Sequence, residues 1–211
     1  MPAVNARYLK RTHKFGIEVA KTVKEALEID KRTGTTFWRD AIALEVKNMN
    51  VAFQDLEEGE IVPVGYQEIR CHMIFDVKVG SLKRKARYVA GGHTTDAPAA
   101  LTYASVVSRE SIRLGLLIAA LNDLDIFSAD IQNAYLTSPC QEKIWTVLGP
   151  EFGPQRSGKK ALVVRALYSL KSAGAAFRNH LASCLAHLRY HSSQGDADVW
   201  FRPAVKENQE K

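Results

Sequence analysis

Between Ile69 and Ala90 the chain carries its clearest structural pattern. Ile69, Cys71, Met73, Phe75 and Val77 are apolar at alternate positions, the period-two mark of a strand with one buried face. Gly80-Ser81 supplies a turn and Leu82 to Ala90 reads as the returning strand, so the segment predicts a β-hairpin. On the return strand Lys83, Lys85 and Arg87 share a face, because alternate side chains point the same way. Taken alone, that row of three cations is accounted for by a solvated strand face.

Around the hairpin the chain mixes helical and strand patterns. Thr22 to Glu25 has the spacing of a capping box, followed by Ala26, Leu27 and Ile29, which predicts a short helix over 23–30. The turn Lys31 to Gly34 ends it, and a second helix follows from Thr36 with Trp38, Ile42, Val46 and Met49 on one face. An acidic loop, Asp55 to Glu60, precedes Pro63. After Gly91-Gly92, Ser108 is placed to cap a helix over 109–121. Leu124 to Ala129 reads as a short strand leading into Asp130. Lys143 to Leu148 and Ala161 to Arg165 are two further strands, separated by a Gly/Pro-rich turn region. A longer helix is expected over 172–190, with Phe177, Leu181, Leu185 and Leu188 on one stripe. Val199 to Arg202 completes the strands before the polar tail KENQEK. With no repeat and no strict βαβ rhythm, the class is α+β.

Composition narrows the function classes. The longest apolar run, Leu114 to Leu121, is far short of the roughly 18 residues a membrane-spanning helix needs. The N-terminus has no apolar block behind its basic residues, so it does not read as a secretory signal. Cys71, Cys140 and Cys184 are odd in number and scattered, which argues against a disulfide framework or zinc cluster and fits a reducing, intracellular compartment, cytoplasmic or nuclear. The net charge of +6 is modest, but it is unevenly spread: Arg7, Lys10, Arg11, Lys14, Lys21 and Lys24 stand against Glu18 near the start, and residues 83–87 read KRKAR. A basic chain invites a nucleic-acid partner without proving one. The histidines, including the helical pair His187 and His191, show no spacing with a third metal ligand. Ser105, Ser108 and Ser111 lack a nucleophile-elbow context, and Trp38, Trp145 and Trp200 read as core anchors.

Asp130 in FSADIQNAYL is the acid that stands out. A carboxylate at the end of a buried strand is costly to desolvate unless it is paired or binds a cation. Tyr135 follows five positions later, so an acid, a turn and an aromatic ring could hold a metal beside a sugar. The competing reading is that Asp130 caps a short helical turn from Ile131 to Leu136.

Five segments in order then give the sequence a family likeness. FWRDAIALEVKNM, HMIFDVKVGSLKRKARYVAGGHTTDAP, FSADIQNAYL, ALYSLKSAGAAF and GDADVWF together resemble the reverse transcriptase of copia-type retrotransposons over residues 36–202. They match, respectively, that domain's lead-in helix, fingers hairpin, first palm motif, Leu-Tyr-Gly-Leu-Lys-Gln-Ala block and following acid–aromatic strand. The resemblance implies right-hand polymerase fingers and a partial palm, a mixed or antiparallel sheet with packed helices. It implies a basic N-terminal extension with a short helix over 1–35 and a reverse transcriptase domain over 36–211.

The resemblance also implies roles. Asp130 matches the aspartate that holds Mg²⁺ in two-metal nucleotidyl transfer, with the Ile131 carbonyl assisting. Tyr135 matches the steric gate, an aromatic ring that clashes with a ribose 2′-hydroxyl. Lys85 and Arg87 lie on the hairpin that the family folds over the triphosphate. Lys171 and Ser172 lie where the palm block lines the templating pair. The partners implied for the intact enzyme are an RNA or DNA template-primer and a deoxynucleoside triphosphate, with no membrane and no indicated oligomeric state.

Two positions depart from the family pattern. Ser169 stands where Gly is usual, which matters if the backbone there needs φ > 0. Ser172 stands where Gln is common. The family's Tyr-x-Asp-Asp turn is expected beyond Lys211, and no Asp-Asp dipeptide occurs in the 211 residues. The expectation is therefore a polymerase fragment, inactive by itself. The alternatives are a non-catalytic nucleic-acid-binding relic of a transposable element or a relic that does not fold.

Overall fold

The computed structural model describes residues 12–92 and 102–203. Arg7, Lys10, Arg11, His93 and the polar tail lie outside the described residues. The chain begins with a small hairpin, β1 (His13–Lys14) and β2 (Ile17–Glu18), then helix α1 (Val23–Thr33). The Thr22 side chain accepts from the Glu25 N–H, as its spacing predicts. The helix continues to Thr33, beyond the expected end at 30, and stops at Gly34 in the left-handed conformation (φ 66°).

Helix α2 (Phe37–Met49) is capped from a distance. Thr36 makes no side-chain capping bond. The Asp30 carboxylate, 2% exposed, accepts instead from the Trp38 N–H at 3.2 Å, the Arg39 N–H at 2.8 Å and the Thr35 hydroxyl at 3.1 Å. Orphan N–H groups at a helix start need such an acceptor, and here the end of α1 provides it. Of the expected face, Trp38, Ile42 and Met49 are buried, and Glu45 is buried with them where Val46 is only half-buried.

The central hairpin is β5 (Cys71–Val77) and β6 (Arg84–Ala90), antiparallel with Ile74 opposite Arg87. Met73, Val77, Ala86, Tyr88 and Ala90 are buried, and Phe75 meets Trp38 edge-on at 5.5 Å. Lys85 and Arg87 are on the exposed side of β6, whereas Lys83 belongs to the turn before it. A second sheet has the order β3 (Phe53–Asp55), β8 (Lys160–Val163), β7 (Ile144–Val147), β4 (Gln67–Glu68). Its β4–β7 pair is parallel and the others are antiparallel, so the fold is α+β with mixed pairing. Phe53, Tyr88 and Phe152 pack mutually edge-to-face, with centroids 5.2–6.0 Å apart, and join this sheet to the hairpin.

Helix α3 (Arg109–Leu121) is capped by Ser108, whose hydroxyl accepts from the Ser111 N–H. Leu124 to Ala129 is not a strand. It is exposed and has no ladder partner among the described residues, and an apolar pattern makes a strand only where a neighbour supplies backbone bonds. Helix α4 (Ala173–His187) is shorter than the expected 172–190, and it buries Ala173, Ala175 and Ala176 rather than the predicted stripe. Phe177, Leu181 and Leu185 instead line a cavity of about 330 Å³, and Leu188 is exposed. A last hairpin, β9 (His191–Ser192) and β10 (Trp200–Phe201), closes the described chain. Among the three tryptophans only Trp38 is a core anchor, since Trp145 and Trp200 are half-exposed. The three cysteines are free thiols, and burial pushes Cys71 and Cys140 up to about 11. Among the described residues no helix is long and apolar enough to cross a membrane.

Replacing Asp30 by Ala orphans two N–H groups at the start of α2. It should lower the unfolding free energy by about 2 kcal/mol in urea titrations, and Asp30→Asn, which keeps an acceptor, by much less.

Candidate functional site

The cations of β6 are held by what covers the outer edge of that strand. A two-stranded hairpin leaves unpaired N–H groups on each side. Here the Tyr88 N–H donates to Glu45 Oε1 at 2.8 Å, and the Ala90 N–H donates to the Tyr168 carbonyl at 3.0 Å. Val89 and Tyr168 form an isolated parallel bridge. Burial pushes the Glu45 carboxyl above the usual range, opposed by the Tyr88 N–H and by the charges of Arg87 and Lys85. The carboxylate is therefore buried between helix and strand edge, next to the two exposed cations.

Tyr168 leads into a tight turn. Ser169 has φ 73°, the left-handed region that costs a non-glycine residue strain. The segment after β6 presses on it: a Cβ added at Gly92 would lie 2.1 Å from the Ser169 carbonyl oxygen. Only glycine permits that approach. The position where sequence comparison placed a usual Gly is thus one where the backbone favours it.

Tyr135 sits on a 3₁₀ turn, Ala134–Thr137, entered through Asn133 at φ 52°. Asn133, not Asp130, is the residue at the start of that turn, so the capping role considered for Asp130 is not realised. Asp130 and Ile131 are exposed, and among the described residues none hydrogen-bonds or ion-pairs with the Asp130 carboxylate. Tyr135 is half-buried, its ring edge-on to Tyr168 at 5.2 Å and to Phe177 at 6.2 Å. The Arg87 guanidinium lies 5.8 Å from the centre of the Tyr168 ring. Burial raises the Tyr168 hydroxyl above its usual range, Glu45 adds to this, Arg87 opposes it, and Tyr135 and Asp130 add smaller contributions. Arg87, Tyr168 and Tyr135 therefore share one neighbourhood.

The other predicted residues lie differently. Lys171 is exposed beside this turn. Ser172 is 1% exposed, and its N–H and hydroxyl both donate to Glu142 Oε1, at 3.1 and 2.8 Å. That hydroxyl is engaged inside the chain and anchors the start of α4. Asp196 and Asp198 act structurally. Asp196 Oδ2 accepts from the Ser108 N–H at 2.9 Å and the Ser111 hydroxyl at 2.6 Å, and Arg178 donates to Asp198 at 2.8 Å. Tyr168 and Glu45 are the residues that sequence reasoning did not assign. Glu45 left one signal, an acid one position from the apolar stripe of α2.

Two outcomes follow. Ser169→Gly should raise the unfolding free energy by about 0.5–1 kcal/mol in denaturant titrations, the strain released less the entropy glycine adds. Asp196 is held down to about 2 from 3.8, chiefly by the Ser111 hydroxyl and the Ser108 N–H. A depressed carboxyl contributes stability above pH 3.8 and loses it as pH falls toward 2. The difference in melting temperature between the native chain and Asp196→Ala should be constant at higher pH and shrink across that window.

Sequence comparison with known proteins identifies a family. The model of the family described as reverse transcriptase (RNA-dependent DNA polymerase) matches residues 60–208. The chain is 26% identical over 203 residues to the retrovirus-related Pol polyprotein from transposon RE2 of Arabidopsis thaliana, covering 93% of this chain and 14% of that protein. It is 28% identical over 156 residues to the retrovirus-related Pol polyprotein from transposon TNT 1-94 of Nicotiana tabacum, covering 70% and 12%. It is also 28% identical over 170 residues to the Pol polyprotein from transposon RE1 of Arabidopsis thaliana, covering 77% and 12%. The chain thus spans 12–14% of the length of these relatives. No solved structure matches it.

Proposed function

The chain belongs to the reverse transcriptase (RNA-dependent DNA polymerase) family, and from that premise we propose that it forms the nucleotide-binding fingers and first palm segment of a retrotransposon's RNA-directed DNA polymerase. The observation that carries this reading is the contact series from Arg87 through Tyr168 to Tyr135. Lys85 and Arg87 supply charge-assisted hydrogen bonds to a triphosphate. The Tyr135 ring meets the sugar and leaves no room for a 2′-hydroxyl. Lys171 faces the templating pair. The chain works inside the cell on an RNA or DNA template-primer, in the company of the rest of its polyprotein.

Mg²⁺ is the cation such chemistry uses, with Asp130 as its ligand. Among the described residues no cluster of three His, Cys, Asp or Glu side chains could hold a metal ion. One exposed carboxylate and the Ile131 carbonyl do not fit a pair of divalent cations, whose mutual repulsion asks for more negative charge. The part read for the described residues is to bind and orient a nucleotide.

Calorimetric titration of the full chain with dATP and with ATP, in buffer containing Mg²⁺, tests this. The native chain should prefer dATP. Arg87→Ala should weaken both nucleotides about tenfold, as for loss of one charge-assisted bond, and Tyr135→Ala should erase the preference for the deoxy sugar. Equal affinity of the native chain for dATP and ATP would refute the gate. If neither nucleotide binds but duplex oligonucleotides do, with affinity falling steeply in salt, the chain is a nucleic-acid-binding module instead.

A further inference from the structure

We propose that Tyr168 is the residue that positions the sugar-discriminating ring of Tyr135, and that it couples this ring to the phosphate-binding cation Arg87. The inference rests on the reading of Tyr135 given above. Tyr135 lies on a short 3₁₀ turn, and among the described residues no strand ladder fixes its backbone. The angle of its ring must therefore come from side-chain packing. Among the described residues two rings touch it, Tyr168 at 5.2 Å and Phe177 at 6.2 Å.

Of these two, Tyr168 is the one tied to the cationic strand. Its carbonyl receives the Ala90 N–H, its backbone bridges Val89, and its ring lies beneath the Arg87 guanidinium. The left-handed turn at Ser169, with Gly92 pressed against it, sets where the Tyr168 backbone leaves the strand edge. A shift of β6 would thus carry Tyr168 with it and tilt the ring that meets the sugar. Phosphate binding and sugar selection become mechanically linked through one side chain. Half-burial of Tyr168 means the ring can be changed without opening the core, since its structural hydrogen bond is made by the backbone.

The same calorimetric measurement of dATP against ATP decides the matter, read as the ratio of the two affinities. Tyr168→Leu should lower that ratio by about threefold or more, the scale of one edge-to-face aromatic contact, while Tyr168→Phe, which keeps the ring, retains it. In a Tyr135→Ala background Tyr168→Leu should change the ratio no further, because the ring it positions is gone. A purely structural role would weaken both nucleotides equally and leave the ratio alone. An unchanged ratio in Tyr168→Leu, beside a native chain that prefers dATP, overturns the positioning role and leaves the gate standing. A native chain without that preference overturns the gate, and this inference with it. Should Tyr168→Leu not fold, Tyr168→Met, which fills the space without a ring, is read in the same way.

Discussion

The outer edge of β6 is the constraint on which the rest of this structure depends. Two strands alone are marginal in water, and the β5–β6 hairpin gains its support from groups that are not strands. A carboxylate from α2 receives one N–H of the strand edge, and a carbonyl from the turn before α4 receives the next. Burying Glu45 is unfavourable, as its raised pKa records, and the Tyr88 N–H with the charges of Arg87 and Lys85 offsets part of that cost. In return the cationic strand is fixed to a helix on one side and to the Tyr168 turn on the other. Gly92 and Ser169 complete the junction by direct backbone contact.

This junction divides the candidate site into two kinds of support. Arg87, Tyr168 and Tyr135 are placed by packing and by backbone bonds that span the fold. Asp130 is not: it closes a run from Leu124 that has no strand neighbour among the described residues, and it is reached through α3, which buries only Ala119. Helix α3 is held at its start by Asp196, so the last hairpin reaches back to the helix that precedes the acid. Arg87 and Tyr135 of the proposed nucleotide site are thus held by packing, whereas Asp130 is exposed.

Local patterns in the chain carried well where one element decided its own shape. Of the alternating apolar residues from Ile69 to Val77, those from Cys71 onward form the strand they predict, and the Thr22–Glu25 pair starts α1. Lys85 and Arg87 lie on the exposed side of β6 because the strand period allows no other arrangement once Ala86 and Tyr88 face the core. Leu124 to Ala129 shows the limit of such reasoning: its apolar composition suits a strand, yet strand formation requires a partner that composition does not name.

What the sequence by itself determined, then, was the α+β character, the hairpin with its cations, and the family likeness that singled out Asp130 and Tyr135. Only the tertiary structure decided how these meet. Asp30 caps the next helix, Glu45 receives an N–H 43 residues away, and Ser172 is bonded to Glu142 30 residues before it. The Tyr168 ring lies between that of Tyr135 and the Arg87 guanidinium, and Ser169 takes the left-handed backbone. The physical reason is that periodicity and capping are short-range signals, set by a few consecutive residues and the geometry of one element. Hydrogen bonds between distant side chains and backbone, ring packing, and the direction of a turn depend on which surfaces come together, and that is settled by packing across the whole chain.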